Sequence, residues 1–200
     1  SEQLGRYFIA KLGVQWDSIA DNYTLEQIDP AAIRRFLELA KNRLPSARND
    51  ESVENLLQKL ELIRNGKITR GAILLFGKER AQHFSDAWVQ CGRFIGSDKA
   101  AIFDHIDIHD PLPQAVDSIM LFLKKHAMRG ADFSEVRRKD VWSMPLTLLR
   151  EAVINALVHA DYSQRGAPIR ISFFDDRIEI ENPGILLPGM TIEDMRQGVS

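Results

Sequence analysis

Glu151, Asn155 and His159 recur every fourth residue through "REAVINALVHADYS", residues 150–163, a stretch otherwise rich in Ala, Val, Ile and Leu. At 3.6 residues per turn, positions four apart drift by only about 40° around a helix. The three side chains therefore share one stripe, with Leu148 and Ala152 beside it. Leu149, Val153, Ala156 and Ala160 make an opposite face suited to packing on a sheet, and Ile154 and Leu157 narrow the polar sector. Burying a carboxylate and an amide without partners costs on the order of several kcal/mol, so the stripe must face something polar. Either neighbouring loops satisfy it, or a ligand does.

Other groups offer less. "FDHIDIHD" sets His105, Asp107 and His109 on one side of a strand, a set that could hold a metal, but nothing nearby completes a second shell. A solvent-facing strand is the better reading. Basic residues cluster in "VRRKD" (Arg137, Arg138, Lys139) and in "KKHAMR", and Arg34 and Arg35 share a helix. Such points could meet phosphates, although short basic runs are usually solvated surface. Asp175 and Asp176 are explained by turn chemistry. Trp16, Trp88 and Trp142 read as packing, and Cys91 as an inert buried thiol. There is no Ser/His/Asp nucleophile arrangement and no G-x-x-x-x-G-K-[ST] phosphate loop, so a helicase motor is rejected.

The elements that must position the stripe follow from start and stop signals. Asp29 caps "DPAAIRRFLELAKNR", with Pro30 at the first helical position. "ESVENLLQKLEL" is a second helix, Asn65–Gly66 a tight turn, and Thr69 the cap of a short helix through "GAILLF". Strands are expected in "RYFIAKL", "DAWVQCGRFIG", "KAAIFDHIDIH" and "DFSEVRRKDVW", and a long helix in "PLPQAVDSIMLFLKKHAM". The stripe's own helix should run from 145 to 160. Two strands within 168–184 then turn about Asp175–Asp176–Arg177, and Thr191 opens a last helix. The expected class is α+β: a mainly helical linker or middle domain over 1–82, then an incomplete α/β sandwich over 83–200, a mixed sheet with helices on one face.

With 44% hydrophobic and 27% charged residues, this is ordinary globular material. The net charge of −2 gives no bulk attraction to nucleic acid or anionic membrane. One cysteine fits a reducing cytoplasm, and no apolar run reaches the ~20 residues that span a bilayer. The termini, Ser1 and "MRQGVS", read as those of a piece of a longer protein.

Glu151-x-x-x-Asn155-Ala156, with His159-Ala160 one turn later and then strand, turn, strand and a Gly turn, resembles the N-box region of the GHKL ATPases: gyrase, heat-shock chaperones, sensor histidine kinases and mismatch-repair ATPases. More narrowly, the segment from "LREAVINALVHADYS" through "DDRIEIENPG" to Ser200 is similar to the C-terminal domain of proteins labelled RecG-like helicases or transcriptional regulators. Those proteins usually begin with a Schlafen/AlbA-type domain. The resemblance implies that Asn155 holds Mg²⁺ against ATP phosphates, Glu151 activates water, His159 lines the phosphate side, and Asn182 and Gly184 form the adenine end. It also implies a bacterial-type regulator that binds DNA through a domain outside this chain; a homodimer is a further expected partner, and the composition points to no membrane partner. The family's adenine turn is Asp-x-Gly-x-Gly; here Asn182 and Leu186 stand at its aspartate and second glycine. A neutral amide accepts roughly half as strongly as a carboxylate. Two other classes compete: a non-enzymatic dimerisation or docking module in which the stripe is structural, and a direct DNA-binding segment over 24–76.

Overall fold

Local capping chemistry fixes the first elements of the computed structural model, which describes residues 15–40, 52–127, 145–164, 166–184 and 193. The Asp29 carboxylate accepts from the Ala31 amide at 2.8 Å, opening α1 (Pro30–Ala40). Ser52 accepts from the Asn55 amide to open α2 (Val53–Lys59). The short strands β1 (Ile63–Arg64) and β2 (Lys67–Ile68) pair antiparallel about Asn65 and Gly66. Their φ values of 51° and 72° are the left-handed pair that an Asn-Gly hairpin turn needs. Thr69 then caps α3 (Arg70–Phe76) by accepting from the Ala72 amide, and α4 (Arg80–His83) follows. Ile28, Ile33, Leu37, Leu56, Leu57, Ile73 and Phe76 close a core among these helices.

The second part is a sheet with two helices. In chain order it comprises β3 (Val89–Phe94), β4 (Ile102–Ile108), α5 (Leu112–Ala127), α6 (Leu146–Val158), β5 (Ile169–Phe173) and β6 (Ile178–Glu181). The strands lie in the order β4-β3-β5-β6, parallel between β3 and β5 and antiparallel at both edges. A parallel pair needs a long crossover, and α5 and α6 lie within it. Both pack on the sheet face that carries Val89, Cys91, Ile169 and Ile171, through Ile119, Leu123, Leu149 and Val153. This is the α+β class and the mixed sheet with helices on one face that the sequence led us to expect.

The helix of the polar stripe spans Leu146–Val158, with Pro145 and His159 as its caps, slightly inside the expected 145–160. The strands expected in "RYFIAKL" and "DFSEVRRKDVW", and all but Glu193 of the helix expected from Thr191, lie outside the described residues. No described helix is long and apolar enough to cross a membrane.

At the end of α2, the Glu61 amide donates to Gln58 O at 3.0 Å and the Leu62 amide to Leu57 O at 2.8 Å. This is a Schellman closure whose left-handed residue, Glu61 at φ 58°, is usually glycine. Glu61→Gly should therefore raise stability by about 1 kcal/mol in urea melts, since the left-handed penalty exceeds glycine's extra chain entropy. A destabilised variant would show that this position is not strained.

Candidate functional site

Helix α6 divides its residues cleanly. Leu149, Val153, Ala156 and Leu157 are buried against the sheet and α5, so Glu151 and Asn155 are turned outward and the stripe's last member, His159, caps the helix. All three are exposed, and their side chains make no hydrogen bond or ion pair with a described residue. The stripe thus meets the requirement for a polar environment by facing solvent, not by bonding to the described loops. Leu148 and Val158 are exposed beside it at 57% and 68%.

The far end of α6 is held against the turn after β6. The Asp161 amide donates to Pro183 O at 2.7 Å. The Asp161 carboxylate accepts from the Ser163 amide at 3.0 Å and from Gln164 Nε2 at 3.1 Å, folding the "DYSQ" loop on itself. The Tyr162 hydroxyl donates to Leu157 O at 2.7 Å, satisfying a carbonyl that the helix end would leave open. Burial pushes the Tyr162 hydroxyl pKa far up, so it stays a donor. A Cβ added at Gly184 would lie 3.5 Å from His159 O, an ordinary contact. Among the described residues nothing demands glycine there. The structure therefore brings His159, Asn182 and Gly184 together at one end of α6, with Glu151 and Asn155 further back along the same helix.

The remaining candidates are dispersed. His105 and Asp107 are exposed on β4, whereas His109 lies beyond the strand, stacked on Trp88 at 5.4 Å. Among the described residues, no group of three or more His, Cys, Asp or Glu is placed to hold a metal. Burial pushes the Cys91 thiol up to about 12, with the Asp107 charge acting in the same direction, and removes it as a nucleophile. Asp175 does more than turn the hairpin. Its carboxylate accepts from Arg93 and, at 2.7 Å, from the Gly96 amide, and the Arg93 contact above all holds its pKa below the usual carboxylate range. Arg137, Arg138, Lys139 and Trp142 lie outside the described residues.

Two polar clusters escaped sequence reasoning. His126, on the buried side of α5, sits 3.0 Å from the Asp104 carboxylate, which Lys125 also meets at 2.7 Å. Burial lowers the His126 pKa. Arg80 is only 6% exposed and donates to Asp110 O at 2.6 Å and His109 O at 3.3 Å. Neither has a local sequence signal, because each partner lies more than twenty residues away.

Comparison with known proteins agrees with part of this picture. Residues 166–200 match a family described as "Putative ATP-dependent DNA helicase recG C-terminal", and residues 11–89 match a domain of unknown function. Neither match reaches half of the chain. The crystal structure of the DIP2311 protein from Corynebacterium diphtheriae superposes with a TM-score of 0.66 at 20% identity, over 97% of this chain and 37% of that one. That likeness is one of fold, and the chain spans little more than a third of that protein. No curated protein matches the chain significantly. The likeness to GHKL-type ATPases is thus supported over 166–200, a match that begins after α6.

Tyr162→Phe should cost about 1 kcal/mol, one net hydrogen bond, while leaving the core intact. Hydrogen exchange checks the structural consequence: the Asp161 amide should exchange faster in the variant. Unchanged protection there would mean that Tyr162 does not hold the α6 end against the turn.

Proposed function

We propose that this chain is the nucleotide-facing part of a longer protein, binding Mg²⁺-ATP along the exposed stripe of α6. The observation carrying the reading is that Glu151 and Asn155 face solvent, bonded to no described residue, on the helix whose end is pinned to the Asn182–Gly184 turn. The match over 166–200 supports it.

The residues fit the group best at its metal end. Magnesium takes hard oxygen ligands and keeps several waters, so the Asn155 amide oxygen suits it without a dedicated cage. When bound, Mg²⁺ would draw charge from the phosphates. Glu151, one turn earlier, would accept a hydrogen bond from a water and orient it, and His159 would line the phosphate side. At the base end, the Asn182 amide oxygen would accept from an exocyclic amine, with Gly184 leaving room beside it. An amide is a weaker acceptor than a carboxylate, so adenine is read less tightly than in the GHKL pattern.

In this proposal the longer protein is a cytoplasmic transcriptional regulator, and DNA is contacted by a part lying outside residues 1–200. A second reading rests on the exposed Leu148 and Val158. Apolar side chains flanking a polar stripe also suit docking of another protein surface, a second copy included, in which case Glu151 and Asn155 are solubilising neighbours.

Thermal unfolding of this chain and of a longer form, with and without Mg²⁺-ATP, separates the two. Ligand at a hundred times its dissociation constant should stabilise by about 2.7 kcal/mol, and Asn155→Ala should abolish the effect without lowering the unliganded melting temperature. No shift in either wild-type form would remove the nucleotide reading and leave the docking one.

A further inference from the structure

On the sheet face away from α5 and α6, strand register places side chains in rows. Directly paired residues share a face. One row runs Asp107, Gln90, Arg170, Glu181, and the next runs His105, Gly92, Ser172, Glu179. Past the bulge between Arg93 and Phe94, Ile102 pairs with Phe94. The middle row is low at its centre, where glycine and serine sit between longer neighbours. A depression of about 380 Å³ opens there, with Gly92 and Ser172 in its floor and Gln90, Arg170, Phe94 and Ile102 around it.

Gly92 is needed for that shape. A Cβ on it would lie 2.9 Å from the Phe94 ring, which folds across it and stacks on Phe174 at 5.2 Å. Ser172 is only 5% exposed, yet its hydroxyl makes no hydrogen bond with a described residue. A buried hydroxyl without a partner is costly, so an oxygen or nitrogen entering the depression would relieve it.

Charge narrows the class of ligand. Lys99 lies 3.2 Å from Glu181 and 3.9 Å from Glu179, so those carboxylates are already answered. Arg170 is exposed and makes no ion pair or hydrogen bond with a described residue, although Glu181 is its cross-strand partner. A free guanidinium matches a carboxylate fork, and the Gln90 amide beside it adds a donor. Within the lining Lys99 and Glu181 answer one another and Arg170 is left over, which suits a monoanion. From Arg170 toward Phe94 the wall turns aromatic and aliphatic.

We propose that this depression binds a small aromatic carboxylate. Its carboxylate meets Arg170 and Gln90, and its ring lies over Gly92 against Phe94 and Ile102. The site is separate from the α6 stripe, on the other side of the sheet, and does not depend on nucleotide binding.

The test is a titration of the ¹⁵N-labelled 200-residue chain with 1-naphthoate, followed by amide shifts. Saturable shifts confined to residues 90–94, 102 and 169–173 are expected. The neutral isostere 1-naphthylmethanol should bind at least about tenfold more weakly, and Arg170→Gln should weaken naphthoate by about tenfold, the scale of a charge-assisted hydrogen bond. Ser172→Ala, which removes only the buried hydroxyl, should weaken it several-fold with the fold intact, and Lys124→Gln on α5 should change nothing. No saturable shift, shifts centred on α6, or equal affinity for the alcohol would each overturn the proposal.

Discussion

The parallel pairing of β3 with β5 is the constraint on which the sheet part of this structure rests. Val89 to Arg93 lie beside Ile169 to Phe173, eighty residues later in the chain. Two parallel neighbours cannot be joined by a hairpin, so the intervening chain must leave the sheet and return. It does so through β4, α5 and α6, and the apolar sides of both helices close on Cys91, Ile169 and Ile171. Once Leu149 and Val153 are committed inward, Glu151 and Asn155 have only one direction left. The outward stripe is thus a consequence of sheet topology.

How much of this could be read in the sequence differs between elements. The caps at Asp29 and Thr69 and the turn at Asn65–Gly66 act within three or four residues, so their signals are complete locally, and the structure shows each of them. The β5–β6 hairpin is legible for the same reason. Strand order is not, because it depends on contacts across eighty residues, and the amino acids of β3 do not specify whether β4 or β5 lies on a given side. The environment of the stripe was also out of reach. Periodicity puts Glu151 and Asn155 on one side of a helix, but whether that side meets a loop or water is decided by what packs elsewhere.

The site shows the same division. His159 and the Asn182–Gly184 turn are drawn together by one backbone contact, Asp161 to Pro183, which the order helix, strand, turn, strand foreshadows. The depression on the opposite face has no foreshadowing, since Gly92 and Ser172 belong to strands distant in sequence and become neighbours only through the register. Short-range chemistry is written in the residues that perform it. Concavities belong to pairs of strands.

Arg80 joins the helical part to the sheet part by donating to main-chain oxygens at His109 and Asp110, and the nearby Asp110 carboxylate favours its charge. A fastening of this kind ignores what side chains its acceptors carry. The side chains at 109 and 110 answer to other contacts, His109 stacking on Trp88 and Asp110 accepting from Ser118, while position 80 is confined to a long, forked cation. The seam between the two cores is therefore asymmetric: the sheet side offers main-chain oxygens that any residue there would carry, and on the helical side the grip depends on one side chain.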